Sequence, residues 1–490
     1  MSKLFVFGIG GTGSRVLKSL TMLLAAGVKT NVEEIIPIVI DKDETNGDMV
    51  TTKRMIEVYI ATQQKFTHDS GKFFSTEMTL LDNKLCLPLK DKVKKFSDYI
   101  QINQLGRVNR ALVESLFSKE ALDMLTTEGF RGVPSIGSVV LNQFEESDIF
   151  RAFANRFCPG DKIFIISSIF GGTGASGFPL LAKTLRGATT LPNWDAVRRA
   201  PIGAISVLPY FIVEETNEEG KVNIDSDTFN SKAKAALAYY AETLDGQIDD
   251  MYYAGDSKYS TFEYSAGGKN QKNAAQFVEL VSALSIIDFA NKNVVETTEE
   301  TDYHEFGILN PQHNESRIIF DDLHADTKKI ICNPLIQFYV FKQYMQLVFD
   351  RENKHQPWSH NYPWQSDNNF DAEFRQGEAM QGLDECLMNF GTWLEQLANV
   401  KVHKRAFVPF NLSAETFAFV NGKSDKCMVK TGNMRYKNWA WFDNELNKTC
   451  TNSETQVSET MTKEQRFLEI FYRATKKFVD ELISNSQDNL

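Results

Sequence analysis

"IFGGTGASGF", residues Ile169 to Phe178, and "FGIGGTGSRV", residues Phe7 to Val16, are two versions of one design, and the fold follows from them. Each turn follows a short apolar run, "DKIFIISS" in one case and "KLFVF" in the other, and leads into a stretch with helical spacing. The unit is strand, glycine turn, helix, used twice. Such a turn, between a strand's carboxyl end and a helix's amino end, exposes several backbone N–H groups. Without Cβ atoms these groups approach a phosphate closely, and the helix dipole adds a favourable field. Gly8, Gly10, Gly11 and Gly13 form the first cradle. Gly171, Gly172, Gly174 and Gly177 form the second, where Thr173 adds a hydroxyl. Neither ends in Gly-Lys-Ser/Thr, so neither is a P-loop, and phosphate charge would be met by amides, hydroxyls and Mg²⁺. One such turn is explained as readily by tight packing as by phosphate binding. Two of them on parallel strands of one sheet converge on the carboxyl edge, where open α/β sheets take ligands.

Working outward from the first turn, Val16, Leu17, Leu20, Leu23 and Leu24 keep helical spacing until Gly27. "EIIPIVIDKDETNGD" is a second strand ending in acids, which makes a βαβ opening and implies a parallel sheet covered by helices. "PIGAISVLPYF" reads as another buried strand and "DDMYYAGDS" as a strand and turn. "LGRVNRALVESLFSKEALDML", 105–125, is helical by period, and "NAAQFVELVSALSIIDFA", 273–290, is a strongly apolar helix expected at the centre. Beyond about Asn291 the character changes to an acidic, threonine-rich loop, an apolar helix "NPLIQFYVFKQYMQLVF" and a last helix "KEQRFLEIFYRATKKFVDELI". The expected class is α/β: a Rossmann-like parallel sheet nucleotide-binding domain over 1–272, a central helix and loop over 273–300, and a mixed α/β or mainly helical C-terminal domain over 301–490.

The bulk numbers narrow the function classes. The chain has 490 residues, 42% hydrophobic and 24% charged, an ordinary globular composition. A formal net charge of −11 argues against whole-surface attraction to nucleic acid or anionic lipid. Six cysteines stand apart with no CxxC pair, which reads as reduced thiols and not as a zinc site or disulfide framework. The first residues run straight into a strand without a secretory pattern, and no apolar run reaches the roughly 18–20 residues of a membrane span. A soluble cytoplasmic protein without metal site, nucleic-acid partner or membrane span is expected. His355 and His360 have ligand-like spacing but no accompanying cluster, and no G-x-S-x-G elbow occurs.

"GGTGASG" resembles the glycine box of the tubulin and FtsZ superfamily, and "GIGGTGSRVL" is similar to that family's first nucleotide loop. The order from residue 1 to about 300 fits as well: "VIDKDE", then the glycine box, "SVLPYF", "YAGDS" and the long apolar helix. A divergent bacterial tubulin-like protein is the nearest resemblance. It implies GTP or GDP as ligand, with Gly8, Gly10, Gly11, Thr12 and Gly13 on the α- and β-phosphates and Asp41 and Asp43 beside the nucleotide or its Mg²⁺. Gly171, Gly172, Thr173 and Gly174, backed by Ala175 and Ser176, would wrap the β/γ-phosphates. The guanine would sit near Asp256, Asn273 and Phe277. The family completes hydrolysis in trans, with a loop after the central helix that inserts carboxylates into a neighbour's site. Here that loop, "NKNVVETTEET", keeps Glu296 and Glu299 at i, i+3 with one residue too many before them, which an exposed acidic linker explains better. The resemblance therefore implies head-to-tail filaments and a slow GTPase.

Two other readings stay open. "GIGGTG … IDKDETNG … KR" also resembles ThiF-type adenylating enzymes, with Asp41, Asp43, Asn46 and Arg54 in the analogous order, although that family has no second glycine box. A non-assembling nucleotide sensor or scaffold in a bacterial multi-protein system such as a defence system, with residues 301–490 binding a protein partner, is the other.

Overall fold

The apolar runs that precede the two glycine turns form neighbouring strands at the middle of one sheet. The computed structural model describes residues 2–41, 46–67, 72–86, 95–125, 130, 133–142, 147–187, 189–214, 227–256, 260–263, 272–294, 296–297, 300–305, 316–349, 358, 370–412, 419–422, 439–451 and 461–487. Among the described residues eleven strands follow in order: β1 Lys3–Ile9, β2 Glu34–Ile40, β3 Glu77–Met78, β4 Lys162–Ser168, β5 Ile202–Val207, β6 Phe211–Glu214, β7 Asp250–Ala254, β8 Ser260–Glu263, β9 Asp302–Glu305, β10 Arg317–Ile318 and β11 Ala406–Phe407. Seven of them make a sheet in the order β3-β2-β1-β4-β5-β7-β9, every pairing parallel. β1 lies between β2 and β4 with Leu4 opposite Ile35 on one side and Lys162 on the other. β2, β4 and β5 are buried along their whole length, as strands covered on both faces must be.

The first helix, Gly10–Ala25, and the central helix, Phe277–Asn291, cover one face. There Gly203 leaves room for Phe289, whose ring lies 5.5 Å from that of Phe164. On the other face Phe153, from the helix Asp148–Arg156, packs edge-on to Phe5 and Phe7 at 5.0 and 5.1 Å. Helix Gly172–Gly187, which follows the second glycine turn, lies beside β4.

The expected α/β sheet with a central helix and a largely helical C-terminal part is the architecture observed. Three local readings change. The segment 105–125 holds two helices, Arg107–Leu116 and Lys119–Asp123, because Ser118 caps the second through a 3.2 Å bond from Ala121 N–H. "PIGAISVLPYF" divides after Val207, and β6 pairs with β8 in a separate two-stranded sheet. The central helix starts at Phe277 because Gln276 N–H donates to Glu279 Oε2 at 3.1 Å, which fixes the helix entry.

Beyond residue 300 the helices Glu378–Leu397 and Lys463–Gln487 close over the second helix, Gly47–Phe66, helix Ala325–Leu347 packs against both of them, and the apolar core is continuous with that of the sheet. Phe73 sits at the meeting point, with ring distances of 5.1 Å to Phe338, 5.6 Å to Phe341 and 5.3 Å to Tyr472. Trp393 donates its indole N–H to Ser19 Oγ at 3.1 Å, which ties helix Glu378–Leu397 to the first helix. No helix among the described residues is long and apolar enough to cross a membrane.

Candidate functional site

Both glycine turns lie at the carboxyl ends of adjacent parallel strands, so the two helices they open start side by side. The turns face each other. A Cβ on Gly10 would stand 3.4 Å from Thr173 Cβ and 3.8 Å from Gly174 N, and Gly10 holds φ +71°, which L side chains rarely adopt. Other glycines serve packing. A Cβ on Gly13 would fall onto the backbone of Gly8, and one on Gly174 would lie 2.8 Å from both Ser168 N and O. These contacts press each helix start against its own strand.

No side chain caps the first helix, and neither helix carries a carboxylate in its first turn. The orphan amides and positive dipole ends of two helices therefore point into one cleft, the electrostatic setting of an anion site. Thr12 and Thr173 bring hydroxyls to it.

One turn down the first helix, a buried charge network closes the floor. Arg15 donates from Nε to Glu279 Oε1 at 2.6 Å, from Nη1 to Asp48 Oδ2 at 3.2 Å, and from Nη2 to Tyr210 Oη at 2.9 Å and Thr12 Oγ1 at 3.4 Å. Tyr210 in turn donates to Glu279 Oε1 at 2.9 Å. Side-chain exposure is 5% for Arg15 and Asp48 and 0% for Glu279. Burial works against the Arg15 charge, but Tyr210, Glu279 and Asp48 together outweigh it and keep the guanidinium protonated more firmly than in water. Burial likewise pushes the Tyr210 phenol up. Four elements meet here: the first, second and central helices and the loop between β5 and β6. The sequence reading passed over this network. Its signal was Glu279 inside the apolar run "FVELVSALSII", since a charge in such a run requires a partner.

The residues expected around a nucleotide fall as follows. Asp41 is buried at the end of β2, at the glycine edge, and Asp43 lies outside the described residues. Ser176 donates its hydroxyl to Gly172 O at 2.7 Å, and Gly137 leaves room for it. Gly171 sits against the Ser168 hydroxyl, and Ala175 is buried in the helix. Asn273 donates through its backbone N–H to Asp48 Oδ1 at 3.0 Å, and the Phe277 ring stands 5.3 Å from that of Phe407. Asp256 pairs with Arg405 at 3.2 Å. The base-side residues thus already have protein partners. Asn46 caps the second helix through Asp48 N–H at 2.9 Å, and Arg54 is turned outward to Glu385 at 2.7 Å.

Glu296 lies on the opposite edge of the sheet, exposed, past the end of the central helix, and Glu299 lies outside the described residues. The central helix has 15 residues, a length of about 22 Å, so Glu296 cannot reach the glycine turns of its own chain. Near it, Asp250, Asp302 and His304 bring ligand-type atoms within 4.8 Å of one another. The Lys292 ammonium stands among them, bonded to Asp250 and 3.1 Å from His304 Nε2, so a lysine balances the carboxylates.

No protein-family model and no curated protein matches the chain. Solved structures do. CetZ from Methanosaeta thermophila strain DSM 6194 is similar at 18% identity over 52% of this chain and 46% of that one, with a TM-score of 0.28. CetZ2 from Haloferax volcanii, a GTPγS-bound protofilament, aligns at 15% identity over 59% and 58%, with a TM-score of 0.28. An empty FtsZ dimer from M. jannaschii aligns at 15% over 52% and 45%, with a TM-score of 0.25. The chain spans about half the length of the structures it matches, between 45% and 58% of them. The likeness to these structures is distant.

Proposed function

We propose that the two glycine turns hold the phosphate chain of GTP or GDP from two sides, and that copies of the chain stack head to tail with the nucleotide at the junction. One observation carries this reading: two glycine-rich helix starts, neither with a carboxylate in its first turn, stand side by side at the ends of adjacent strands with Gly10 facing Thr173. Gly10, Gly11, Thr12 and Gly13 would hold the inner phosphates, and Gly172, Thr173 and Gly174 the outer ones. Arg15 is engaged by Asp48 and Glu279, so neutralisation falls to amides, helix dipoles and a Mg²⁺ ion near Asp41. When bound, Mg²⁺ would supply Lewis-acid stabilisation of phosphate charge.

The resemblance of the two glycine turns supports guanine as the base. Filament formation draws on the family resemblance and on Glu296 past the far end of the central helix; with Glu299 it would complete a neighbour's site and give slow hydrolysis. The adenylating alternative is weakened by Arg54, which reaches Glu385 instead of the glycine turns. Electron microscopy and sedimentation with GTP, GDP, ATP or no nucleotide, beside a Gly172→Trp variant, test the proposal. GTP-dependent filaments that vanish in the variant support it. ATP consumption with pyrophosphate release and no filaments overturns it in favour of the adenylating enzyme.

A further inference from the structure

We propose that a cavity at the far ends of the first and central helices binds a small organic anion, an apolar body that carries a carboxylate and an amide-like group. This site is separate from the glycine turns. The first helix has 16 residues, so its last turn lies about 24 Å from the turn that opens it.

The cavity measures about 510 Å³, a size that suits a small-molecule ligand. Four parts of the chain wall it. The end of the first helix supplies Ala26 and Gly27, and the end of the central helix supplies Asn291. Asn31 N–H donates to Asn291 Oδ1 at 2.7 Å and Asn31 Nδ2 to Asn291 O at 3.0 Å, which pins these two walls together. The third wall is one face of helix Ala325–Leu347, where Ile330, Asn333, Pro334 and Gln337 recur at i, i+3, i+4 and i+7. Tyr472 of the last helix closes the side, with its ring edge-on to Phe73 at 5.3 Å.

Two polar groups of the third wall are left without protein partners. Gln337 is only 9% exposed and lines the cavity, yet its carboxamide has no hydrogen-bond partner among the described residues. A buried carboxamide without a partner is costly, and a native chain that keeps one needs a reason. Pro334 has no N–H to give the Ile330 carbonyl four residues earlier, so that acceptor lacks its helical donor. A carboxamide beside a free carbonyl matches a ligand group that both donates and accepts, as an amide does.

The charges of the lining set the sign of the ligand. Lys29 and Lys329 are exposed and form no ion pair among the described residues. Asp326 is the carboxylate of the described lining; it is 87% exposed and stands 3.6 Å from His324 Nδ1. Two lysines against one aspartate leave a net positive charge, with both ammonium groups uncommitted. Ile330, Pro334 and Tyr472 supply apolar surface for the body of the ligand.

The test uses the full chain and a panel of N-acetyl amino acids with fluorinated side chains, each beside its neutral primary amide. Binding is read by fluorine NMR line broadening, with and without excess GTP. Carboxylates are expected to bind, their neutral partners about tenfold more weakly, and GTP to displace neither. A Lys29→Ala/Lys329→Ala variant, changed only at exposed positions, should weaken carboxylate binding about tenfold. Gln337→Met, which keeps the side-chain volume, should weaken carboxylate and amide alike about fivefold, with its melting temperature reporting the fold. No binding by any carboxylate, equal binding of the neutral partners, or indifference to either variant overturns the proposal. Displacement by GTP also overturns it, since the probe would then occupy the glycine turns.

Discussion

The two edges of the parallel sheet treat polar groups in opposite ways. At the amino edge, charges close on partners within the chain. Lys162 donates to the central-helix carbonyls of Phe289 and Ala290 at 3.4 and 3.3 Å. Asp249 accepts from Arg186 at 2.8 Å, from Ile202 N–H at 2.6 Å and from Thr297 at 2.8 Å. Beside the two turns at the carboxyl edge, Arg15, Asp48 and Glu279 close on one another one layer down, and glycine lines the rim. A fold that closes its charges within the chain and lines the turns with glycine separates what holds it together from what it offers to a ligand.

The sharpest way to break this contrast is Arg15→Ala. It would leave the Glu279 and Asp48 carboxylates buried without their cation, at a cost of about 3–5 kcal/mol, read as a lowered urea midpoint. An unchanged midpoint would mean that the network does not support the site. Next in size, Gly13→Ala or Gly174→Ala should cost about 1–3 kcal/mol in thermal unfolding, because the new methyl meets the backbone of Gly8 or Ser168. At the other edge, Lys162→Met should lose about 1–3 kcal/mol through orphaned central-helix carbonyls, yet leave nucleotide affinity within twofold or so. A large loss of affinity there would erase the division of labour between the edges.

The smallest effect is a pH dependence. Burial lowers the affinity of His403 for a proton, and its Nε2–H donates to Gln396 O at 2.9 Å. The unfolded chain therefore binds the proton more readily, so stability is full above the ordinary histidine range near 6.5 and declines as pH falls through it. The slope cannot exceed about 1.4 kcal/mol per pH unit for one proton, and a His403→Gln variant should flatten it. Because Gln396 also accepts from Ala275 N–H at 3.0 Å, this titration bears on the entry to the central helix.

The sheet and its turns were legible because local pattern decides them. Apolar runs such as "KIFIISS" bounded by glycine admit few structures, and the helical spacing after Gly13 holds to Ala25. The break at Ser118 was also written locally, as a serine cap, but a continuous helical period masked it. The Arg15–Glu279 pair was beyond reach, since 264 residues separate the partners and only the closed fold joins them. The same holds for the base side, where the partner of Asp256 is Arg405, in a segment whose resemblance had already faded. Pattern reads what neighbours in sequence impose; it does not read who meets whom across the fold.

The closure of the C-terminal helices over the second helix also has a consequence in time. Gln465 donates to Thr67 O across 398 residues of chain. At about 5–20 residues per second, a ribosome needs roughly 20–80 s to deliver the later partner after the earlier one. Throughout that interval Phe73 and the apolar side of the second helix stand without the rings that later surround them. The newborn protein must pass through a stage when its sheet is complete and its flank is not, and this is when it most needs shelter from its own kind.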